Sequence, residues 1–174
     1  MSTNGKKKRV VLLVGAPGSG KTTIVADMYP AAAVIHSDDY RSQLAPIRRA
    51  LAQAFAEAHP TIVLDGCHAT ANKRAIFVRA AREAGYTVEA LHIATPIDRC
   101  LAQSLRRAQG GGRKLPPVAI YSFRKHFTPP EISEGFSHVH TIIPEDKTPL
   151  EDEFDLDLTK AVHPVEAVEA VKAL

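Results

Sequence analysis

Residues 15–22 read GAPGSGKT, the one segment of the chain that fits Gly-x-x-x-x-Gly-Lys-[Ser/Thr]. Each fixed position has a use against a phosphate. Gly15, Gly18 and Gly20 permit the tight bends that aim several backbone N–H groups at one anion, and Ala16, Pro17 and Ser19 complete the loop. A helix beginning near Lys21 adds its unpaired N–H groups and the positive end of its dipole. The Lys21 ammonium would reach the β- and γ-phosphates, the Thr22 hydroxyl would ligate Mg²⁺, and Thr23 closes the nucleotide-binding run. A glycine-rich turn can match such a pattern by chance. This one follows the most strand-like run and precedes a helix-like segment, the context that the chemistry requires. The expectation is a site for a nucleoside triphosphate, ATP or another, with Mg²⁺.

A triphosphate site serves switches, motors and transferases alike, so other residues must select among them. Ser37-Asp38-Asp39-Tyr40-Arg41 follows the second β-like run. The C-terminal edge of a strand faces the same crevice as the phosphate loop in an open α/β sheet. There Asp38 could accept the proton of an attacking hydroxyl, and Arg41, one helical turn on, could grip a phosphate. The competing role for the aspartate is a helix cap. Asp65 ends the third β-like run, TIVLD, where an aspartate holds Mg²⁺ or its waters in triphosphate-using enzymes; it could equally cap the next helix. His68 just beyond reads as a polar contact before it reads as a catalyst. The glycine run within Gln109–Lys114, QGGGRK, is flanked by Arg106, Arg107, Arg113 and Lys114. Three glycines in a row cannot hold a rigid element, so a flexible lid over about residues 106–116, closing its guanidinium groups on the triphosphate, is expected. A plain solvent-exposed basic loop is the alternative.

Alternating elements must position these groups. The β candidates are Val10–Val14, Ala33–His36, Thr61–Leu64, Thr87–Ile93 and His138–Ile143. Between them lie helix-like segments, Lys21–Tyr29, Pro46–Ala58, Asn72–Ala84, Ile97–Ala108 and Val118–Phe127. Strands alternating with helices of this length argue for βαβ units around a parallel sheet. The run VVLLV has no polar alternation and fits a central strand covered on both faces.

The chain has 174 residues, enough for one compact domain. Hydrophobic residues at 45% and charged residues at 24% suit a globular protein with a core. No apolar run approaches the roughly 20 residues that cross a bilayer, and MSTNGKKKR opens no secretory signal, so a cytoplasmic protein without membrane partners is expected. Cys67 and Cys100 are too few for a disulfide framework and lack zinc-site spacing. The net charge of +3 conceals an asymmetry: residues 1–143 carry 19 Lys+Arg against 10 Asp+Glu, whereas residues 144–174 carry 3 against 9. A body of +9 suits a polyanionic partner. The expected organisation is a flexible basic N-terminus over 1–8, a nucleotide-binding domain over 9–143, and an acidic appendage over 144–174 that closes with a short helix.

These residues together resemble the kinase domain of polynucleotide 5′-hydroxyl kinases, of the phage type and the animal kinase–phosphatase type. GAPGSGKTT is similar to their P-loop, and SDDYR to the phage-type segment that carries a general base and an arginine for the acceptor-side phosphate. Residues 65–83, DGCHATANKRAIFVRAARE, and residues 116–136, PPVAIYSFRKHFTPPEISEGF, are similar to two further stretches of the family. The likeness runs from residue 9 to 143. It departs at Cys67-His68, where the family has Asn after Asp-x-Thr, and at Ser37, where an Arg is common. The resemblance implies a P-loop kinase α/β fold, with a five-stranded parallel sheet in the order 2-3-1-4-5 and helices on both faces. It implies transfer of the γ-phosphate of ATP to a 5′-hydroxyl end of RNA or DNA in nucleic-acid repair. Asp38 would be the general base, Arg41 the acceptor clamp, and Arg107 or Arg113 the lid arginine. Rival readings are a P-loop kinase of a small-molecule hydroxyl and a non-catalytic nucleotide-binding regulator. Residues 155–159, DLDLT, match the phosphatase loop of the family, with Asp155 as nucleophile and Asp157 as acid, but 15 residues follow and the motif is expected to belong to the acidic appendage.

Overall fold

A computed structural model describes residues 7–112 and 115–144. Arg113, Lys114, the acidic segment beyond Pro144, its DLDLT and its expected helix lie outside the described residues. Five strands form one sheet: β1 (Arg9–Val14), β2 (Ala33–His36), β3 (Thr61–Asp65), β4 (Thr87–Ile93) and β5 (His138–Ile142). All pairings are parallel, and the order is β2-β3-β1-β4-β5, as the family resemblance implied. Five helices connect them: α1 (Lys21–Met28), α2 (Leu44–Ala56), α3 (Ala71–Glu83), α4 (Ile97–Gln109) and α5 (Pro117–His126).

The alternation of side chains along β1 explains why its sequence is apolar throughout. Val10 and Leu12 point to one face, where Ile62, Leu64 and Val88 meet Ile47 and Leu51 of α2 and Phe77 and Val78 of α3. Val11 and Leu13 point to the other, where Val63, Leu91 and Ile93 meet Val25 of α1. Each such side chain contributes about 1.5–3 kcal/mol by leaving water, so the strand that carries the phosphate loop is the most firmly held. A third cluster, Ala16, Cys100 and Ile120, seats α4 and α5 against that loop.

Many boundaries shift by one residue from the sequence reading, and those of α2 by two; the start of α2 and the end of α4 have a clear physical reason. Helix α2 begins at Leu44, before Pro46. A proline in the first turn breaks nothing, because the N–H it lacks would have had no partner there. Helix α4 runs to Gln109, and Gly110, Gly111 and Gly112 prolong its winding through bonds from their N–H groups to the carbonyls of Arg106, Ala108 and Arg107. Among the described residues no helix is long and apolar enough to cross a membrane.

A buried arginine fixes the loops beyond β3 and α5. Arg74 in α3 is fully buried, and its guanidinium donates from Nε and Nη2 to the two carboxylate oxygens of Glu134, at 2.8 and 2.6 Å. Nη1 donates to the carbonyls of His68 and Thr128, and Nη2 also to that of Pro129. The chain after α5 is thereby tied to the chain after β3.

Candidate active site

The strands end where the loops converge, and β1 passes directly into the phosphate loop. Gly18 (φ 79°) and Gly20 (φ 87°) adopt the left-handed backbone that glycine tolerates. A Cβ on Gly18 would lie 2.6 Å from the carbonyl oxygen of Cys100 in α4, so space and backbone angle both demand glycine there. The loop is pinned from outside: Thr95 Oγ1 donates to the Ser19 carbonyl at 2.9 Å, and the Gly15 N–H donates to the Cys67 carbonyl at 3.2 Å. Lys21 Nζ donates to the carbonyls of Gly15 and Ala16 at 3.0 and 2.7 Å, which holds its charge inside the curve of the loop. Thr22 and Thr23 occupy the first turn of α1.

The parallel register of β2 and β3 sets His36 beside Asp65. Asp65 is buried, and its Oδ2 accepts from Thr22 Oγ1 at 2.9 Å and lies 3.0 Å from His36 Nδ1. Asp65 is not the cap of α3, which is Thr70, whose side chain accepts from the Lys73 N–H. The Thr22 hydroxyl and the Asp65 carboxylate are hard oxygen donors brought together, and among the described residues no group of three His, Cys, Asp or Glu forms a metal cage. That donor set fits Mg²⁺, which takes one or two protein ligands and completes its shell with phosphate and water. His36 was not singled out from the sequence. The available signal is that it ends a strand at the same sheet edge as Asp65.

Asp38 lies in a one-turn 3-10 helix, Ser37–Tyr40, that leaves β2 with no side-chain cap. Tyr40 anchors this turn by packing on the core. Arg41 closes it, exposed and left-handed (φ 50°), with its N–H donating to the Asp38 carbonyl at 3.0 Å. Ser42 is left-handed as well (φ 55°). Two consecutive non-glycine residues in that region cost about 1–2 kcal/mol each, a strain that gathers at functional turns. The Cys67 thiol reports what surrounds this crevice. Burial pushes its pKa up, Lys21 pulls it down, and the carboxylates of Asp38 and Asp65 push it up again. The charges of Lys21, Asp38 and Asp65 thus all reach this thiol, two residues beyond the end of β3.

Arg106 and Arg107 are exposed in the last turn of α4. Arg107 falls one and two turns after Ser104 and Cys100, the buried residues of that helix, and Cys100 touches the loop. His68 is a structural residue. Its Nδ1–H donates to the Leu13 carbonyl at 2.7 Å, its ring stands edge-on to Phe77, and burial pushes its pKa down to about 4.

A family model described as an AAA domain matches residues 10–130. A bifunctional polynucleotide phosphatase/kinase of Schizosaccharomyces pombe is 23% identical over 138 residues, covering 78% of this chain and 33% of that protein. The chain thus spans about a third of the length of the curated relatives it matches. A fungal RNA kinase shares the fold with a TM-score of 0.58 at 16% identity, covering 82% of this chain and 77% of the other. A chain from the PezAT toxin–antitoxin system of Streptococcus pneumoniae reaches 0.62 at 17% identity, covering 80% and 70%. At such identities the likeness is one of fold. The family match, by contrast, takes in most of the chain from β1 to the end of α5, with the phosphate loop, Asp38 and Asp65 inside it, and the chain belongs to this AAA-domain family, with the fold of a P-loop kinase.

Proposed function

We propose that the chain transfers the γ-phosphate of ATP to the 5′-hydroxyl end of a nucleic acid. The observation that carries the reading is the junction of the phosphate loop with the strand ends: Lys21 Nζ is held by the Gly15 and Ala16 carbonyls, Thr22 Oγ1 donates to Asp65 Oδ2 at 2.9 Å, and Asp38 stands in the turn that leaves β2, the neighbour of β3. A phosphate-binding ammonium and two carboxylates in one place are what a hydroxyl acceptor and a triphosphate need. The basic body, +9 over residues 1–143, and the relatives named as polynucleotide and RNA kinases support a nucleic acid as that acceptor.

In this reading the loop N–H groups and the N-terminus of α1 bind the phosphates. Lys21 Nζ exchanges the carbonyls of Gly15 and Ala16 for phosphate oxygens. Thr22 and Asp65 would hold Mg²⁺, which would supply positive charge to screen the triphosphate. His36 fixes the Asp65 carboxylate through Oδ2. Asp38 orients the 5′-hydroxyl and takes its proton, while Arg41 grips the 3′-phosphate of the same nucleotide. Arg107, or Arg113 beyond it, neutralises the moving phosphoryl group from the lid side. Positioning and charge stabilisation supply most of the rate.

The test is transfer of labelled γ-phosphate to a panel of 5′-hydroxyl RNA and DNA oligonucleotides, with nucleosides and sugars beside them. Labelled oligonucleotides are expected. Label confined to a sugar or free nucleoside would replace this reading with that of a small-molecule kinase.

A further inference from the structure

The Asp65 carboxylate joins three elements through one oxygen. Oδ2 accepts from Thr22 Oγ1 at 2.9 Å, in the first turn of α1, and lies 3.0 Å from Nδ1 of His36, at the end of β2. A carboxylate accepts, so Nδ1 carries the proton of the second bond. The parallel register that pairs His36 with Asp65 holds the ring there. The Asp65 side chain is 7% exposed and that of His36 39%, so little water reaches the carboxylate to replace a lost donor. Thr22 is the residue whose orientation depends on this arrangement. A hydroxyl has one proton and two lone pairs, and with the proton committed to Oδ2 the lone pairs remain for a cation. His36 also stands where the 3-10 turn that carries Asp38 begins, so one residue borders both the cation ligands and the candidate base.

We infer that His36 is a positioning residue for the cation. Through Asp65 it holds the Thr22 hydroxyl in the orientation that ligates Mg²⁺, and it raises the affinity of the site for the ion without touching it. The inference rests on the proposed role of Thr22 and Asp65 and deepens it, by adding a residue behind the ligands. Hydrogen bonds behind a metal ligand fix its orientation, and losing one costs about 10–100-fold in metal affinity. Mg²⁺ keeps most of its shell in water and phosphate, and the imidazole acts on it through two successive bonds. The lower end of that range, about tenfold, is therefore expected.

The experiment measures the Kd of ATP in EDTA and in saturating Mg²⁺. The ratio of the two reads how tightly the nucleotide-bound site holds the ion, because chelation of Mg²⁺ by free ATP is common to every variant. His36→Phe keeps a ring and removes the donor. It should leave the Kd in EDTA unchanged and shrink the ratio about tenfold. His36→Asn returns an N–H near the position of Nδ1 and should restore most of the ratio. In the Asp65→Asn background His36→Phe should add nothing, since the ring acts through that carboxylate. His36→Ala, the smaller donor-free variant, answers the same question where His36→Phe does not fold. A wild-type ratio in the donor-free variants overturns the inference. Equal weakening of ATP in EDTA and in Mg²⁺ overturns it too, being the mark of a merely structural role. Mg²⁺ without effect on ATP binding by the wild type overturns the cation role of Thr22 and Asp65 as well, whereas the transfer panel tests the acceptor separately.

Discussion

Arg74→Met is the most informative perturbation of the fold around the site. The guanidinium is fully buried and the Glu134 side chain is 13% exposed, so the pair is shielded from solvent. Removing one partner leaves the other charge buried, which costs about 3–5 kcal/mol, whereas replacing both with apolar groups is close to neutral or even stabilising. The carbonyl of His68 loses a donor as well. Against a total stability of about 5–15 kcal/mol the single change is severe. For a domain of this size it should lower Tm by about 10–15 °C. Urea unfolding of wild type, Arg74→Met, Glu134→Leu and the double variant closes a thermodynamic cycle. The double variant should be no less stable than Arg74→Met alone, giving a coupling of a few kcal/mol. A loss below about 1 kcal/mol in Arg74→Met, or two losses that simply add, would refute the reasoning, because a solvated or independent pair behaves that way.

Two further outcomes follow from single residues. His68 holds its folded pKa at about 4, below the ordinary 6.5, through burial. The unfolded chain therefore binds the extra proton between those values, and stability present above pH 6.5 is lost as pH falls toward 4. Between pH 7.5 and 5 this residue should cost about 2 kcal/mol of unfolding free energy measured in urea, and His68→Gln should lack that part of the pH dependence; equal slopes in both proteins would contradict it. Gly18 and Gly85 share the same backbone angle (φ 79° and 81°), but a Cβ meets Cys100 only at Gly18. Gly85→Ala should cost about 1–2 kcal/mol of stability and leave nucleotide binding unchanged. Gly18→Ala should displace the loop and abolish the thermal shift given by ATP, and an undiminished shift would show that the loop accommodates the methyl group.

Local patterning carried the strands and helices because each is coded within its own stretch: VVLLV fits a central strand, and α4 and α5 read as helix-like segments. The phosphate loop was legible for the same reason, since its chemistry is contiguous in sequence. Strand order was not, and came through resemblance. What escaped were contacts across distance. Arg74 and Glu134 lie 60 positions apart, and neither sequence neighbourhood announces a buried ion pair. His36 meets Asp65 only because two parallel strands end level, and Gly18 needs glycine because α4 crosses the loop at Cys100. A capping role stood beside the catalytic one for Asp38 and, without excluding the metal role, for Asp65. The fold assigns the cap of α3 to Thr70 and gives the 3-10 turn no side-chain cap.

The central claim, that Asp38 accepts the proton of a nucleic-acid 5′-hydroxyl, is tested most directly by Asp38→Asn in the labelled transfer assay. Asparagine keeps the shape and loses the base, so ATP should still raise Tm as in the wild type while transfer to a 5′-hydroxyl oligonucleotide falls by about 10²–10⁴-fold. Transfer at the wild-type rate by Asp38→Asn would contradict the account.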